Sequence, residues 1–312
     1  MMKKFFLTAA AAVYVIVVFA QDAEVKRLKD ESGKTVKKEP AQKEGWTKGG
    51  VFNLNLSQGA SRNWAAGAEK FSFSINALAN TFAYYKRYRN VWDNTLNVQY
   101  GIVNATSIGT RKNDDRFDLL SRYGYQLGDT ATSKWYLSAL VNLRTQMTTG
   151  YNYALNPKQK NSNFFAPAYL LVSPGIMYKP NATFDVFLSP VTSRWVIVND
   201  KNKEIRRLFN FKDTTQATIN EIGAFLTANI KKELAKNINL TSRLDLFSNY
   251  RNNPQNIDVF WTNTLGFKVN KYIGFTYNLD LIYDHDVKNV QTGGLLGTQL
   301  KSLLGIGLTA TF

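Results

Sequence analysis

Apolar and polar residues alternate along most of the chain after residue 50. Near the start of one such stretch, Phe71, Phe73 and Ile75 alternate with Ser72 and Ser74. Successive side chains of a strand point to opposite sides, so this period of two predicts β-strands with one apolar and one polar face. Twelve strands are predicted, near residues 51–57, 70–85, 91–103, 116–126, 134–147, 168–179, 183–191, 221–232, 238–248, 257–269, 273–284 and 300–312.

The lengths of these segments and of the gaps between them favour one all-β architecture. Many segments match the roughly 9–11 residues with which a tilted strand crosses a membrane. Long gaps (58–69, 104–115, 148–167, 192–220, 249–256 and 285–299) alternate with short ones (86–90, 127–133, 180–182, 233–237 and 270–272). An even strand count with this alternation predicts a transmembrane antiparallel β-barrel with short periplasmic turns and both termini in the periplasm. A soluble β-sandwich explains the alternation but not the lengths and gaps together.

The two ends of the sequence carry targeting signals. Residues 1–20 combine two lysines, an apolar run and a small residue at the expected cleavage position, which predicts a secretory signal peptide. Residues 21–45 are rich in Lys and Glu and predict a short disordered periplasmic tail, so the barrel is expected over residues 46–312. The last strand ends on Phe312, which resembles the C-terminal strand signal of outer-membrane barrels and implies the barrel-assembly machinery as a partner during biogenesis.

Composition narrows the function classes. The net charge of +16 would suit a nucleic-acid-binding protein, but an exported chain rarely meets nucleic acid, so no nucleic-acid partner is expected. The sequence has no cysteine and one histidine, which excludes a lipoprotein anchor, disulfides and thiolate or multi-histidine metal sites. No metal and no cofactor is expected.

Aromatic residues cluster at the predicted strand ends. All six tryptophans (46, 64, 92, 135, 195 and 261) are placed at or beyond strand ends by these boundaries, together with several tyrosines. Amphipathic rings prefer the membrane interface, so two aromatic girdles are predicted. Localisation to the outer membrane of a Gram-negative bacterium follows, with outer-membrane lipid as a partner.

Charges of both signs fall on the predicted inner faces of the strands. They are Asp93, Asp118, Arg122, Arg144, Asp185, Arg243, Asp245 and Asp280. One interpretation is a structural network of charge-assisted hydrogen bonds that braces a mostly filled lumen. The other is a narrow path for a small polar or anionic solute, selected by the three arginines.

A basic rim is expected at the periplasmic end of the barrel. Its principal members are Lys86, Arg87, Arg89, Lys231, Lys232 and Lys236. Such a rim could bind anionic phospholipid headgroups, since each basic residue near an anionic surface contributes about 1 kcal/mol. The alternative is that these charges only keep exposed turns soluble.

The single histidine raises the question of an outer-membrane hydrolase. His285 lies between Asp284 and Asp286 at the outer end of a strand, and Asp114 and Asp115 could supply further acids. A His–Asp couple can activate water. Adjacent strand residues point to opposite faces, however, and a polar cluster that begins a turn explains the same residues. We expect no enzyme, with a protease- or lipase-type hydrolase as the alternative.

Several short segments together resemble a family of Bacteroidota outer-membrane β-barrels catalogued as a domain of unknown function. The segments are Gly45–Gly50, Asn53–Gln58, Asn63–Gly67, Trp92–Asn94, Tyr100–Gly101, Asp114–Arg116, Tyr123–Tyr125, Ala166–Tyr169 and Leu188–Pro190. The resemblance implies a barrel in the outer membrane and no established activity or site residues. The expected function is a narrow channel or transporter, or the barrel component of a larger envelope complex.

Overall fold

The computed structural model describes residues 44–61, 70–129, 132–153, 157–201, 203–209, 211, 215–270, 273–284, 286–287, 294 and 297–311. In these residues the strands are β1 Gly45–Ala60, β2 Phe71–Arg87, β3 Asn90–Ala105, β4 Gly109–Gln126, β5 Trp135–Thr145, β6 Gly150–Asn152, β7 Gln159–Ser162, β8 Ala168–Tyr178, β9 Phe184–Ile197, β10 Thr218–Ala235, β11 Ile238–Asn249, β12 Ile257–Lys268, β13 Ile273–Tyr283 and β14 Gln299–Thr311. One short helix, α1, spans Lys203–Leu208. No helix in the described ranges is long and apolar enough to cross a membrane. The predicted signal peptide, most of the predicted tail and Phe312 lie outside the described residues.

Twelve of the strands close into one antiparallel barrel. The order around the ring is β1, β14, β13, β12, β11, β10, β9, β8, β5, β4, β3, β2 and back to β1. The remaining two, β6 and β7, pair with each other inside the connection between β5 and β8. The predicted all-β, twelve-stranded antiparallel barrel is confirmed.

The barrel closes at a short seam between its first and last strands. Val51–Asn55 of β1 pair with Gly307–Thr311 of β14. By contrast, β1 pairs with β2 along its whole length, from Gly45 to Ala60. The seam therefore joins the ring through far fewer backbone hydrogen bonds than its neighbour.

The two ends of the barrel differ in their connections. The turn end carries the links from β2 to β3, β4 to β5, β8 to β9, β10 to β11 and β12 to β13. The opposite loop end carries the link from β5 to β8, with its β6–β7 hairpin, and the link from β9 to β10, with α1. The alternation of short and long connections was thus predicted correctly at most positions.

One predicted loop, at residues 104–115, is wrong. Strands β3 and β4 continue through most of it and leave a connection of residues 106–108, where Thr106 N donates to the carbonyl of Phe71 at 3.0 Å. A β-bulge opposite Gly101 adds one residue to β4. The charged side chains of this part of β4 stay in a paired strand because they have ion-pair partners, as Asp114 has in Lys301 and Asp115 has in Lys112.

The polarity of the barrel is inside out. Outward side chains are apolar and exposed, as for Leu137 (58 %) and Leu304 (67 %), whereas inward polar side chains such as Asp118 and Thr227 are buried. A soluble barrel would place its apolar residues inside and its polar residues outside. The exterior therefore faces hydrocarbon, and the fold is that of a transmembrane barrel.

Aromatic rings on the turn end pack against one another. The ring of Trp46 lies 5.1 Å from that of Tyr85 and 5.8 Å from that of Trp92, and Trp135 lies 4.8 Å from Tyr178. Aromatic rings therefore cluster on the outer surface near the turn end. Trp261 differs from the prediction, since it lies within β12 rather than at its end.

Candidate functional site

All eight charges predicted for the inner strand faces form ion pairs inside the barrel. They are Asp93, Asp118, Arg122, Arg144, Asp185, Arg243, Asp245 and Asp280. Alternation along each strand fixes their inward direction, since one neighbour of each points to the lipid. They separate into a turn-side cluster, a central cluster and one pair that spans the lumen.

The turn-side cluster is centred on a buried guanidinium. Arg122 of β4 donates to Asp185 of β9 and to Asp93 of β3, the latter at 3.1 Å. Lys179 adds a second cation at 3.1 Å from Asp93, and Asn229 donates to Asp185 at 3.0 Å. Each carboxylate therefore has two donors, which offsets the cost of removing its charge from water.

The central cluster alternates two arginines with two aspartates. Arg144 lies 3.0 Å from Asp245 and 3.3 Å from Asp118. Arg243 lies 2.8 Å from Asp245 and 3.4 Å from Asp118, and Asn142 donates to Asp118 at 2.6 Å. Because β4 and β5 are separated from β11 by three or more strands of the ring, these bonds cross the lumen instead of running along its wall.

Two further ion pairs join nearly opposite walls. Arg116 and Lys301 were not among the charges predicted for the inner faces. Arg116 of β4 binds Asp280 of β13 at 2.6 Å, and Lys301 of β14 binds Asp114 of β4 at 2.5 Å. Arg116 lies two residues before Asp118 on the same strand. That spacing was the available signal, because residues two apart share a face.

Part of the lumen is filled by an apolar cluster. Its buried members are Val91, Leu120, Tyr136, Leu140, Leu171, Met177, Phe187, Phe225 and Phe247. They come from the contiguous strands β3, β4, β5, β8, β9, β10 and β11, whose inner faces we name the packed arc. The inner faces of β12, β13, β14, β1 and β2 form the seam arc.

Glycines make room for the rings of the packed arc. A Cβ on Gly175 of β8 would lie 2.9 Å from the Phe187 ring, and one on Gly223 of β10 would lie 3.0 Å from the Phe247 ring. Both glycines would also overlap a neighbouring backbone carbonyl if they carried a side chain. Each inward ring thus covers a glycine on the adjacent strand, a signal that the sequence analysis did not use.

A cavity of about 540 Å³ occupies the loop-end half of the lumen. Its lining includes Arg144, Asp245 and Phe225, and its walls include Phe260 and Tyr169. The guanidinium of Arg144 lies 3.5 Å from the centre of the Phe260 ring. The central cluster therefore borders this cavity on the side of the turn end.

Arg194 connects residues of three neighbouring strands on the loop-end side of the cavity. Arg194 of β9 lies 2.5 Å from Glu221 and 2.7 Å from Asp258, and its guanidinium lies 4.0 Å from the centre of the Phe247 ring. A second cavity of about 420 Å³ adjoins it, and both are lined by Tyr169 and Arg194. Arg194, Glu221 and Asp258 were not singled out from the sequence, whereas Tyr169 and Asp284, which line both cavities, were named there.

Two loop-end connections pack on each other and contribute to the cavity lining. Ile205 of α1 is buried with Val198 and Phe211 in a separate apolar cluster. Lys160 of β7 lies 2.6 Å from Asp200 in the other connection. These contacts link the β5–β8 connection to the β9–β10 connection.

Two of the acids proposed for a hydrolase, Asp114 and Asp115, bind other groups. Asp114 binds Lys301, while Asp115 accepts from Lys112 and from the backbone amides of Met147 and Thr148 at 2.8–2.9 Å. His285 lies outside the described residues, so the hydrolase alternative stays a prediction. The described ranges contain no group of three or more His, Cys, Asp or Glu side chains that could hold a metal ion.

The six residues of the predicted basic rim have different placements. Arg87, Lys232 and Lys236 have exposed side chains at the turn end, and Lys86 is half-buried. Arg89 instead donates to the carbonyls of Gln126 and Gly128, at 3.2 and 2.6 Å.

Lys231 lies on the inner face of the barrel at the turn end. It donates to the hydroxyl of Tyr84 and lies 4.7 Å from the centre of that ring. Its outward neighbour Ile230 fixes this direction by alternation. Lys231 therefore lies at the turn end, with its exposed side chain directed toward the mouth of the lumen.

Sequence comparison gives one family match. Residues 56–151 match the family described as "Protein of unknown function (DUF3078)". This stretch runs from the end of β1 into β6, so the resemblance to a family of unknown function is confirmed there. The Bacteroidota origin stays a prediction. No curated protein matches the sequence.

Comparison with solved structures returns membrane barrels of low similarity. The NanC porin is 7 % identical, with a TM-score of 0.36 over 83 % of this chain and 98 % of its own. The translocator domain of the autotransporter NalP from Neisseria meningitidis is 9 % identical, with a TM-score of 0.34 over 95 % and 97 %. Outer membrane phospholipase A from Escherichia coli is 11 % identical, with a TM-score of 0.34 over 88 % and 94 %.

Proposed function

We propose that this protein is an outer-membrane barrel that forms a narrow, normally closed passage for small polar solutes. The inside-out polarity supports a membrane location, because the exterior exposes leucines such as Leu300, Leu304 and Leu308 while charged residues are buried inside. Both termini lie in the periplasm in this proposal, and the barrel-assembly machinery inserts the chain.

The observation that carries the proposal is the ion-pair network across the lumen. Arg144 and Arg243 reach from β5 and β11 to shared aspartates, at 2.8–3.4 Å. Below them Arg122 is buried between two further aspartates. A solute that leaves the loop-end cavity toward the turn end has to displace these pairs, so the clusters act as a barrier.

The paired state of the arginines favours polar over anionic solutes. Arg122, Arg144 and Arg243 each contact two aspartates, and the central cluster holds equal numbers of positive and negative groups. A guanidinium whose charge is neutralised locally attracts anions weakly. Selectivity then rests on size and hydrogen bonding in the 540 Å³ cavity.

Conductance across planar bilayers tests the barrier. Replacing Arg144 and Asp245 together by alanine removes one cross-lumen pair and leaves Asp118 and Arg243 to bind each other at 3.4 Å. We expect low current from the unchanged protein and a several-fold, about three- to tenfold, larger mean current from the double variant, because an electrostatic and steric barrier is removed.

A matched control uses an ion pair outside the lumen. Lys160 and Asp200 lie 2.6 Å apart in the loops, and their double replacement by alanine should leave the current unchanged. If all three folded proteins carried no measurable current, the result would contradict a passage through the lumen. The barrel component of a larger envelope complex would then be the better proposal, and proteins that co-purify from native membranes would identify its partners.

The exposed basic residues of the turn end supply a second contact. Arg87, Lys232 and Lys236 are placed where anionic headgroups of the inner leaflet would lie. In this proposal they hold the barrel at its depth, with outer-membrane lipid as the partner and no nucleic acid.

A further inference from the structure

Two tryptophans on the outer surface, Trp92 and Trp261, have the same arrangement of hydrogen bonds. In the first arrangement, Trp92 Nε1 donates to Ser121 Oγ at 2.8 Å. Ser121 Oγ donates to Asn94 Oδ1 at 2.8 Å, and Asn94 Nδ2 donates to the carbonyl of Ala83 at 3.2 Å. We name Trp92, Asn94 and Ser121 the first triad.

The second triad consists of Trp261, Asn263 and Ser242. Trp261 Nε1 donates to Ser242 Oγ at 3.0 Å, and Ser242 Oγ donates to Asn263 Oδ1 at 2.7 Å. Asn263 Nδ2 donates to the carbonyl of Leu279 at 3.3 Å. The order of donors and acceptors is the same as in the first triad.

The strand geometry of the two triads is also the same. In each, the asparagine follows the tryptophan by two residues, and the serine is the cross-strand partner of the asparagine on one side. The accepting carbonyl belongs to its cross-strand partner on the other side. The sequence repeats too, as Trp-Asp-Asn-Thr-Leu at Trp92–Leu96 and Trp-Thr-Asn-Thr-Leu at Trp261–Leu265.

The triads point in opposite directions along the barrel. Strand β3 runs from the turn end to the loop end, and β12 runs the other way. Trp92 is the third residue of β3 and Trp261 the fifth of β12, so each tryptophan is nearer the barrel end where its strand begins. In both cases the serine and asparagine lie closer to the middle of the wall.

Both triads face the lipid and lie inside the expected hydrocarbon band. Trp92 and Trp261 are exposed by 42 % and 41 % on the apolar exterior. With a rise of about 3.3 Å per residue and a tilt of about 40°, Trp92 lies about 5 Å and Trp261 about 18 Å from the turn-end limit of its strand. For a band about 25 Å thick that begins at these turn-end limits, Trp92 lies roughly 5 Å inside one edge and Trp261 roughly 7 Å inside the other.

An ordinary interfacial tryptophan keeps its N–H for water or lipid headgroups. In the triads the indole N–H is already bonded to serine, and the serine hydroxyl and asparagine amide are bonded in turn. Polar groups with such partners can stay in hydrocarbon, where unpaired ones are costly. The indole therefore has no need to reach the headgroup layer.

We propose that each triad is a binding surface for lipid acyl chains just below the headgroups, one in each leaflet. The first triad contacts one leaflet and the second contacts the other. Their separation along the barrel axis therefore matches the barrel to one hydrocarbon thickness. The occupant is lipid because the exterior around each triad is apolar. Leu119 and Tyr123 are exposed beside the first, and Leu244 and Leu281 are the cross-strand partners of Trp261 in the second. The proposal does not depend on passage through the lumen.

Trp135 provides a natural comparison on the same surface. It is exposed by 53 % and its ring lies 4.8 Å from that of Tyr178. Within the described part of the chain, its indole N–H has no protein acceptor. Trp135 should therefore lie at the headgroup layer as an ordinary girdle residue.

Fluorescence quenching in bilayers measures these depths. Three variants each retain one tryptophan (92, 261 or 135), with the other five replaced by phenylalanine, and are refolded into phosphatidylcholine vesicles with bromine at different acyl positions. We expect Trp92 and Trp261 to be quenched about twofold more by bromine partway down the chain than by bromine near the glycerol, and Trp135 to show the reverse. The same depth for all three residues would overturn the proposal.

Ser121→Ala tests the hydrogen bond itself. Without its acceptor, the Trp92 N–H should turn toward headgroups, which moves its quenching maximum outward and shifts its emission to the red, while Trp261 is unchanged. Ser193→Ala is the matched control, because Ser193 faces lipid and accepts from Asn220 at 2.7 Å but binds no tryptophan. If Ser121→Ala does not insert, Ser242→Ala makes the same test on Trp261.

Two results would contradict the lipid-binding surface. One is an unchanged Trp92 depth in the folded Ser121→Ala protein, which would show that the bonded serine does not set the depth. The other is weak quenching of Trp92 or Trp261 by every brominated lipid together with cross-linked dimers, which would show that a second barrel covers the triad.

Discussion

The packed arc and the seam arc of the lumen are stabilised in different ways. In the packed arc, rings such as Phe187 and Phe225 are buried, with centroids 6.4 Å apart, and Arg122 and Arg194 of the same arc are also buried. The seam arc carries glycine, asparagine and threonine, including Gly307, Asn53 and Thr276. One wall is thus an apolar core inside a membrane protein, and the other is held by backbone pairing, small polar contacts and the ion pairs of Asp280 and Lys301 with β4.

This difference shows how a filled lumen can coexist with a weak closure. Apolar burial and ion pairs concentrate where strands pair along most of their length, from β3 to β11. At the seam, β1 and β14 pair over five residues each, and small side chains leave little apolar area to bury. The packed arc should therefore unfold last and the seam should separate first.

Removing a ring from the packed arc should have the largest effect on stability. Phe187 is fully buried, lies beside Phe225 and covers Gly175, so Phe187→Ala leaves a cavity. We expect the free energy of unfolding to fall by about 3–5 kcal/mol, measured by urea titration of the refolded barrel in lipid vesicles.

The control for that change is a leucine on the outside of the seam. Leu304 is exposed by 67 %, and Leu304→Ala shortens a lipid-facing side chain without leaving a cavity inside the barrel. Unfolding in urea transfers this side chain from lipid to water, so the loss should be about 1–2 kcal/mol, smaller than that of Phe187→Ala. Equal losses in both variants would show that the packed arc is not the stabilising core.

A side chain at Gly307 should interfere with closure of the barrel. A Cβ there would overlap the carbonyl oxygen of Leu54 and lie 2.6 Å from Asn55 Oδ1. Gly307→Val should lower the free energy of unfolding by about 1–3 kcal/mol. When samples are heated to increasing temperatures before electrophoresis, the compact band of the folded barrel should disappear at a lower temperature than for the unchanged protein.

Gly266 is the matched glycine for this test. It lies in β12, away from the seam, and a Cβ there would have its nearest neighbour, the carbonyl oxygen of Asn239, at 4.0 Å. Gly266→Val should leave both the unfolding energy and the gel migration nearly unchanged. If Gly307→Val behaved in the same way, the seam would not be the tight point of the ring.

A smaller effect is expected from a side-chain bond that spans β14. Asn53 of β1 donates to Thr276 Oγ1 of β13 at 3.0 Å, and both side chains are buried. Asn53→Leu should cost about 1 kcal/mol, because it leaves a buried hydroxyl without this donor. Urea titration at equal lipid composition measures it, and Asn104→Leu, whose bond to Thr110 is exposed, should cost less. A larger loss of stability from Asn104→Leu than from Asn53→Leu would show that the Asn53–Thr276 bond does not stabilise the seam.

Sequence alone fixes the faces of the strands but not the partners across the lumen. Alternation was enough to place Asp118 and Arg144 on inner faces, because a residue's direction depends only on its own strand. Partner choice depends on the closure of the ring, as for Arg116 and Asp280, which are 164 positions apart. The eight predicted charges were therefore found together, while the pairing pattern was not foreseeable.

The packed arc escaped prediction for a related reason. On β8 and β9, residues such as Leu171, Val172 and Phe187, Leu188 are apolar on both faces, so alternation cannot tell which ones point inward. Only burial separates them, since Phe187 is fully buried whereas Leu188 is exposed by 52 %. The seam arc, with polar residues on one face only, was the easier half to interpret from the sequence.

The smallest expected effect concerns the connection that follows β13 on the seam arc. His285→Ala should change neither the free energy of unfolding nor the bilayer current if the barrel is a passage, because the barrier consists of side chains of the central cluster. A hydrolase that used His285 with the neighbouring acids would lose its activity on phospholipid and peptide substrates in the same variant. Assays of both substrates on the refolded, unchanged protein come first, since hydrolysis there, abolished by His285→Ala, would transfer the functional role from the charged lumen to the loop end.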